Sequence, residues 1–482
     1  MSQQTSSITF RDDSSFPYIY EQNVDIPLRT YKTGVIRANI HRPHDTESGV
    51  KYPVIVTYGP YGKDIAYSDF RKPSFDEVNP DHKSVHSAWR RWIQHGGLAM
   101  DERGIGQSPG LLDTMSQGTS DAFFDVVEWA AVQKWSTGKV GLLGISYYAG
   151  TQWRVAARNP KGLAAIIPWE GMSDYYRDRC RHGGILSNNF IDIWWRGQVV
   201  VNQYGRPRSN PKIPPTIEGT LPEEELQRNL RDQRVDNVEH KYLDEEYYAS
   251  RDYCLEDIKV PLLSVANWGG ILLHLRGNVE GYFHAGSETK YLHFITGRHD
   301  LPFYYRENAA LQKSFLDAFL KGEDNRGWST PGKIPPVSIL LREGDVGFND
   351  VYTRYYLLPD GAMTDRPNTA ALHCSLRKVD TAHAYHRDYL PYRSYASTSV
   401  EPLVPGEVYK VTVEIWPTNV VVSPGNRLVF EIAGADTQGS GIFTHDHPKD
   451  RDERVFGGRN EIRFGVDLGN YVTMPVISSA SG

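Results

Sequence analysis

Residues 139–150 read Lys-Val-Gly-Leu-Leu-Gly-Ile-Ser-Tyr-Tyr-Ala-Gly, and no other stretch constrains the fold of this chain as strongly. A short apolar run ends in Gly144, Ser146 stands two positions on, and Ala149 and Gly150 come within four residues of it. A strand that runs into a tight turn and then a helix has this pattern, with one hydroxyl held at the apex. Placing Ser146 there strains its backbone and leaves room only for small neighbours. A hydroxyl presented in this way suits nucleophilic attack. Gly-x-Ser also occurs in ordinary strand–turn–helix units, so the surrounding chain has to decide.

Residues 36–40 and 54–57 predict strands, the first alternating and the second apolar until its last residue, as in a buried strand. Residues 119–134 predict a helix capped by Thr119 or Ser120, with Phe124, Val127 and Ala131 at helical spacing. The strand to Leu143, the Ser146 turn, a helix to about residue 158 and a buried strand over 163–167 follow. Such alternation from about residue 54 to 168 indicates a mostly parallel sheet covered on both faces. Charge and aromatics replace it between 173 and 254, where helical patches at 191–201 and 221–231 flank a Pro-rich loop over 207–215. Strands return at 260–266 and 291–295, and an amphipathic helix over 307–321 carries Leu311, Phe315 and Phe319 on one face. Beyond Asp324 the period becomes two, with strand-like runs at 337–341, 353–358, 409–415, 427–432 and 471–476. The expected fold is α/β. A core of the α/β-hydrolase type is built from 1–172 and 255–325, 173–254 form an inserted helical cap, and 326–482 form an all-β domain, a sandwich rather than a barrel.

Composition narrows the function. A net charge of −6 without a basic stripe argues against nucleic acid as a partner. No apolar run approaches the roughly 20 residues that span a bilayer, and residues 1–5 lack the features of a secretory signal. A cytoplasmic protein with no membrane partner is expected, and monomer or homodimer is left open. Cys180, Cys254 and Cys374 are odd in number and far apart, which gives neither a disulfide framework nor zinc spacing. The 29 Tyr and 11 Trp suit either an apolar cleft with polar tips or core packing.

A serine nucleophile needs a base, and the base needs an orienting acid. In a sheet of this kind the chain order is Ser, acid, His. His299, in Gly297-Arg298-His299-Asp300-Leu301-Pro302, stands just past a late buried strand, where the last loop delivers such a base. The Tyr147 amide, next after the nucleophile, is placed to hold an oxyanion. Gly59-Pro60-Tyr61-Gly62-Lys63-Asp64 follows an early strand. The Tyr61 hydroxyl there is either a second donor or packed in a turn.

With these residues in place, the chain resembles the cocaine-esterase and X-Pro dipeptidyl-peptidase group of serine hydrolases. The resemblance is carried by Pro60-Tyr61-Gly62-Lys63, by Asp101-x-Arg103-Gly104-x-Gly106-x-Ser108-x-Gly110 and by Trp129 and Trp135 leading to Gly138-Lys139-Val140-Gly141. Gly144-x-Ser146-Tyr147, Asp174-x-Tyr176-Arg177, Trp268, and Pro417-Thr418 with Pro424-Gly425-x-Arg427-Leu428 complete it. It spans nearly the whole chain. It implies a hydrolase core, a helical cap, a C-terminal jelly roll, Ser146 as nucleophile and Tyr61 as the second oxyanion donor.

This chain departs from the family pattern in several places. Ala149 replaces a usual Gly. The strand before Asp101 and the segment between Asp365 and Ala370 are short. The family's acid sits two residues past Trp268, and that position is Gly270, which cannot orient an imidazole. In Ile166-Ile167-Pro168-Trp169-Glu170-Gly171, Glu170 ends the neighbouring strand, 24 residues after Ser146 (170 − 146). Some lipases place their acid after this strand. An apolar approach should bury Glu170, and a buried carboxylate needs a partner. Glu170 is therefore expected to act on His299, ahead of Asp174, which the resemblance marks as structural, and of Glu280 and Asp300.

Trp169, Trp194, Trp268 and His274 are candidate substrate contacts, each with core packing as the alternative. His445-Asp446-His447 lacks a third metal ligand and reads as a surface loop. The expected activity is hydrolysis of a small ester or amide through an acyl-enzyme, with no cofactor and no metal. The alternatives are acyl transfer, cyclisation or lyase chemistry at the same serine, and a binding pseudoenzyme that lost its acid with Gly270.

Overall fold

Ten strands form one sheet in the order β1-β2-β3-β5-β4-β6-β7-β10-β11-β12. They are β1 (Phe10–Asp12), β2 (Ile19–Pro27), β3 (Val35–Arg42), β4 (Tyr52–Gly59), β5 (Gly97–Asp101), β6 (Ser136–Ile145), β7 (Leu163–Trp169), β10 (Leu262–Asn267), β11 (Lys290–Ile295) and β12 (Val337–Ser338). A short hairpin, β8 (Arg181–His182) with β9 (Ile185–Leu186), lies apart in the cap. The computed structural model describes residues 8–30, 34–65, 73, 77, 97–208, 211, 213–270, 272–299, 301–340, 356–357, 363–364, 376–404, 406–419, 424–425, 432–436, 441–457, 461–463 and 471. Cys374 and Asp300 lie outside them.

From β5 through β12 neighbouring strands run parallel, and β1, β2, β3 and β5 pair antiparallel. The central strands are buried on both faces, which is why β4 and β6 read as continuous apolar runs rather than alternating ones. Helix α1 (Gln117–Ala131) and α2 (Tyr147–Ala157) cover one face, with Phe123, Val126, Val127 and Trp153 buried against Val54, Val56, Val140 and Leu142. Phe315 and Leu316 cover the other face, over Leu143, Ile167 and Val265. Each large aliphatic side chain buried in this way stabilises the fold by about 1.5–3 kcal/mol.

The structure corrects the expected helix cap. Ser116 is the N-cap of α1, its hydroxyl accepting the Thr119 amide at 3.2 Å. Thr119 and Ser120 are buried within the first turns, and the Thr119 hydroxyl instead donates to the Asp113 carbonyl. The short run before Asp101 is a complete strand, since all five residues of β5 pair with β4.

The cap contributes α3 (Asn189–Trp194), α4 (Glu223–Arg228), α5 (Gln233–Glu239) and α6 (Glu246–Ala249). A wide helical turn over Trp195–Val199 and a tight 3₁₀ turn over Val200–Asn202 continue α3. Helix α7 (Leu275–His284) follows β10, and α8 (Arg306–Leu316) follows β11. Among the described residues no helix is long and apolar enough to cross a membrane.

Charged groups bind cap, core and C-terminal region together. The buried Asp178 carboxylate accepts the Ser173 and Asp174 amides and pairs with Arg276 at 2.9 Å. Arg276 also reaches Glu414, and Arg181 in the cap pairs with Asp450 at 2.7 Å. His445 is buried rather than on a surface loop. Its Nε2 meets His182 Nδ1 at 2.9 Å, and Asp436 holds its other nitrogen. Both ring nitrogens of His445 are thus engaged. Among the described residues no group of side chains has the makings of a metal site.

In the C-terminal region Tyr356–Leu357 pairs with Met363–Thr364, and Leu376–Arg377 with Val400–Glu401. Residues 409–415 are described and form no strand. Most of the runs at 353–358, 427–432 and 471–476 lie outside the described residues.

Candidate active site

Every element of the site leaves the sheet at the carboxyl ends of its parallel strands. This is where open α/β sheets form their crevice. The chain moves from β4 to one side and from β6 to the other, so the loops after these two strands part there and expose Tyr61 and Ser146.

Ser146 has φ 63° and ψ −120°, a conformation that costs a non-glycine residue about 1–3 kcal/mol. It is over-determined from both sides. Its amide donates to the Trp169 carbonyl at 3.0 Å, and its own carbonyl accepts the Ala149 and Gly150 amides. A Cβ on Gly144 would stand 2.4 Å from the Tyr148 Cβ, and one on Gly171 would stand 2.6 Å from the Ala149 Cβ. Ala149 is accommodated because Gly171 faces it. Gly144→Ala is expected to destabilise the protein by about 1–3 kcal/mol through overpacking. It should also displace the turn, so kcat falls further than the lower melting temperature explains. Calorimetry and steady-state kinetics on one preparation check both.

Glu170 follows β7 directly, with φ 47° and its amide bonded to the Val265 carbonyl at 2.8 Å. Its carboxylate is fully buried. One oxygen accepts His299 Nδ1–H at 2.7 Å and the other accepts the Asn267 amide group at 3.1 Å. Asn267, at the end of β10, also donates to the Gly297 carbonyl at 2.9 Å. One side chain thus ties the acid to the loop that carries His299. A Cβ on Gly270 would come 3.3 Å from the Glu170 carboxylate. The glycine leaves open the space that the carboxylate occupies.

The Ser146 hydroxyl is hydrogen-bonded to His274 Nε2 at 3.1 Å. His274 stands at the N-cap position of α7, its amide donating to the Gly270 carbonyl at 3.1 Å. It is 3% exposed, and its Nδ1 is buried without a hydrogen-bond partner. Burial first, then the neighbouring His299 and Arg179, holds this imidazole well below the usual histidine range, so it stays neutral. The His274 and His299 rings stack with centroids 5.0 Å apart and planes 18° apart. The sequence offers His274 as a substrate contact or a core residue. Its place at a helix start after a late strand is the one signal that could have marked it as a partner of Ser146.

The Tyr61 hydroxyl accepts Trp194 Nε1–H at 3.2 Å and lies near Ser146. Burial raises its pKa, so it remains a donor. Tyr147 begins α2, and its amide is one of the first-turn donors that lack an intrahelical acceptor. Its phenol accepts the Met115 amide at 2.8 Å and donates to Glu102 at 3.0 Å. Burial pushes the Glu102 carboxyl up to about 8. Glu102 gave no sign of itself in the sequence.

Trp194 packs between Tyr61 and Tyr147 beside the nucleophile. The other two candidate tryptophans point into the core. Trp169 meets Phe303 edge-on, and Trp268 stacks on Phe294 at 4.2 Å and donates to the Leu340 carbonyl. Asp174 pairs with Arg177 at 2.7 Å, and Glu280 with His284 at 3.1 Å.

Residues 33–300 match the family described as X-Pro dipeptidyl-peptidase (S15 family). The chain belongs to this family. Residues 356–473 match the X-Pro dipeptidyl-peptidase C-terminal non-catalytic domain, so an α/β-hydrolase core is followed by that domain. A CocE/NonD family hydrolase from Staphylococcus aureus superposes with a TM-score of 0.53 at 30% identity, over 68% of this chain and 55% of that one. The cocaine esterase of Rhodococcus sp. (strain MB1 Bresler) is 31% identical over 163 residues, 33% of this chain and 25% of the esterase. The Xaa-Pro dipeptidyl-peptidase of Lactobacillus helveticus is 23% identical over 208 residues, 32% of this chain and 26% of that protein. This chain thus spans about half of the staphylococcal hydrolase and about a quarter of the two curated relatives.

Proposed function

We propose that this member of the S15 family is a serine hydrolase that cleaves an ester or amide bond through an acyl-enzyme, with Ser146, His299 and Glu170 as its triad. The observation that carries the reading is the buried Glu170 carboxylate on His299 Nδ1, at a site where the strained Ser146 turn presents its hydroxyl. The acid fixes the tautomer that keeps Nε2 as proton acceptor and stabilises the imidazolium that forms. Ser146 attacks the acyl carbon as His299 takes its proton. His299 then protonates the leaving group. The Tyr61 hydroxyl and the Tyr147 amide hold the oxyanion, and such a donor is worth about 10²–10³ in kcat. Water releases the acyl group by the reverse sequence.

A second reading makes His274 the base, and the 3.1 Å contact with Ser146 favours it. Against it stand the empty Nδ1 and the burial that opposes protonation. In the favoured reading His274 holds the resting hydroxyl, and a rotation about χ1 of Ser146 transfers that hydroxyl to His299, whose ring lies alongside. A fluorophosphonate probe tests the nucleophile. Wild-type protein should be labelled at Ser146 and release p-nitrophenol from p-nitrophenyl acetate, and Ser146→Ala should do neither. An unlabelled wild-type chain overturns the reading in favour of a binding protein.

A further inference from the structure

Arg179 lies in the cap turn Tyr175–Cys180 and is 3% exposed. Its guanidinium sits 4.2 Å from the centroid of Trp194, the residue that donates to Tyr61. The cation is near enough to Tyr61, Tyr147, Glu102 and His274 to bear on the ionisation of each. Its charge therefore reaches both the oxyanion donor Tyr61 and the resting partner of the nucleophile.

The arginines two residues away on either side are both paired with carboxylates at 2.7 Å, Arg177 with Asp174 and Arg181 with Asp450. Arg179 is not. Its Nε and Nη2 are buried without a hydrogen-bond partner, and among the described residues no carboxylate oxygen lies within 4 Å of it. The ring of Trp194 attracts the charge but accepts neither N–H. Glu102 makes no ion pair with it and instead accepts the Tyr147 phenol. Burying a cation with idle donors is costly, and proteins rarely keep one without a use. Nε and Nη2 share one edge of the planar guanidinium. This edge receives a carboxylate through two parallel hydrogen bonds. Both atoms are shielded from solvent, where a charge-assisted pair is strongest.

We propose that Arg179 is a specificity residue that binds a carboxylate carried by the substrate, so that the enzyme prefers anionic esters or amides. This rests on the serine-hydrolase reading and adds the substrate class to it. The reaction is unchanged. The carboxylate stays bound to the guanidinium and takes no part in the bond exchange.

The test compares kcat/KM within two matched pairs. In one pair the charge lies in the acyl half, p-nitrophenyl butyrate against mono-p-nitrophenyl glutarate. In the other it lies in the alcohol half, phenyl acetate against 4-acetoxybenzoate. In wild-type protein one anionic partner should be favoured by about 10- to 100-fold, the range expected for a hydrogen-bonded charged pair. Arg179→Met should abolish that preference by lowering kcat/KM for the anionic ester more than for its neutral partner, and Arg179→Lys should keep part of it. No preference in either pair overturns the proposal, as does an equal loss on neutral and anionic esters in Arg179→Met, the mark of a residue that only positions Trp194. The wild-type comparison stands even if the variant does not fold. Absence of turnover on all four esters with Ser146 unlabelled overturns the hydrolase reading itself. Labelling and turnover without charge preference overturn this proposal alone.

Discussion

His299→Ala is expected to lower kcat by about five to six orders of magnitude, as removal of the base does in enzymes whose serine and histidine act as a unit. The reason is the Glu170 contact at 2.7 Å. Of the two imidazoles beside Ser146, His299 has a buried carboxylate to stabilise its cation, whereas His274 has an unpartnered Nδ1. His274→Ala removes the resting hydrogen bond of the hydroxyl, which is worth about tenfold. The two variants should therefore differ by about four to five orders of magnitude in pre-steady-state acylation by p-nitrophenyl acetate. The opposite ranking would make His274 the base and His299 its neighbour.

Glu170→Gln is expected to cost about 10⁴ in kcat with little change in KM. The amide is close in shape to the carboxylate and can stay between His299 and Asn267, so the fold is retained. It can also present an N–H to His299 Nδ1, which fixes the wrong tautomer, and it has no charge to balance an imidazolium. Saturation kinetics separate the two parameters, and circular dichroism confirms that the variant is folded. Turnover at the wild-type level would remove Glu170 from the triad.

Much of the core was legible because its physics is local. Continuous apolar runs mark strands buried on both faces, and β4, β6, β7, β10 and β11 all appear as such runs. The Ser146 turn was legible from the small residues its strain demands. Glu170 stood out because an apolar strand carries it into the interior, and the structure sets it against His299. What escaped was set by tertiary approach. The contact of His274 with Ser146 joins residues 128 positions apart, and no periodicity encodes that. Arg179 stands among three arginines in five residues, and only the folded chain separates the one without a carboxylate from the two that are paired. Trp169 and Trp268 looked like cleft residues, yet an indole fills a core gap as well as it lines a pocket. The helix cap was misassigned by three or four positions because three residues able to cap, Ser116, Thr119 and Ser120, lie within five residues of one another.

The close approach of Gly270 to Glu170 leaves room for one acid beside the His299 imidazole. An acid at position 270 and one at position 170 compete for one volume beside one imidazole. A chain carrying both would force two carboxylates together, one of which would hold a proton and serve poorly as the acid. A chain carrying neither would leave the imidazole without support. The two arrangements are therefore alternatives for one imidazole, and the bare backbone at Gly270 is what reserves the place for Glu170.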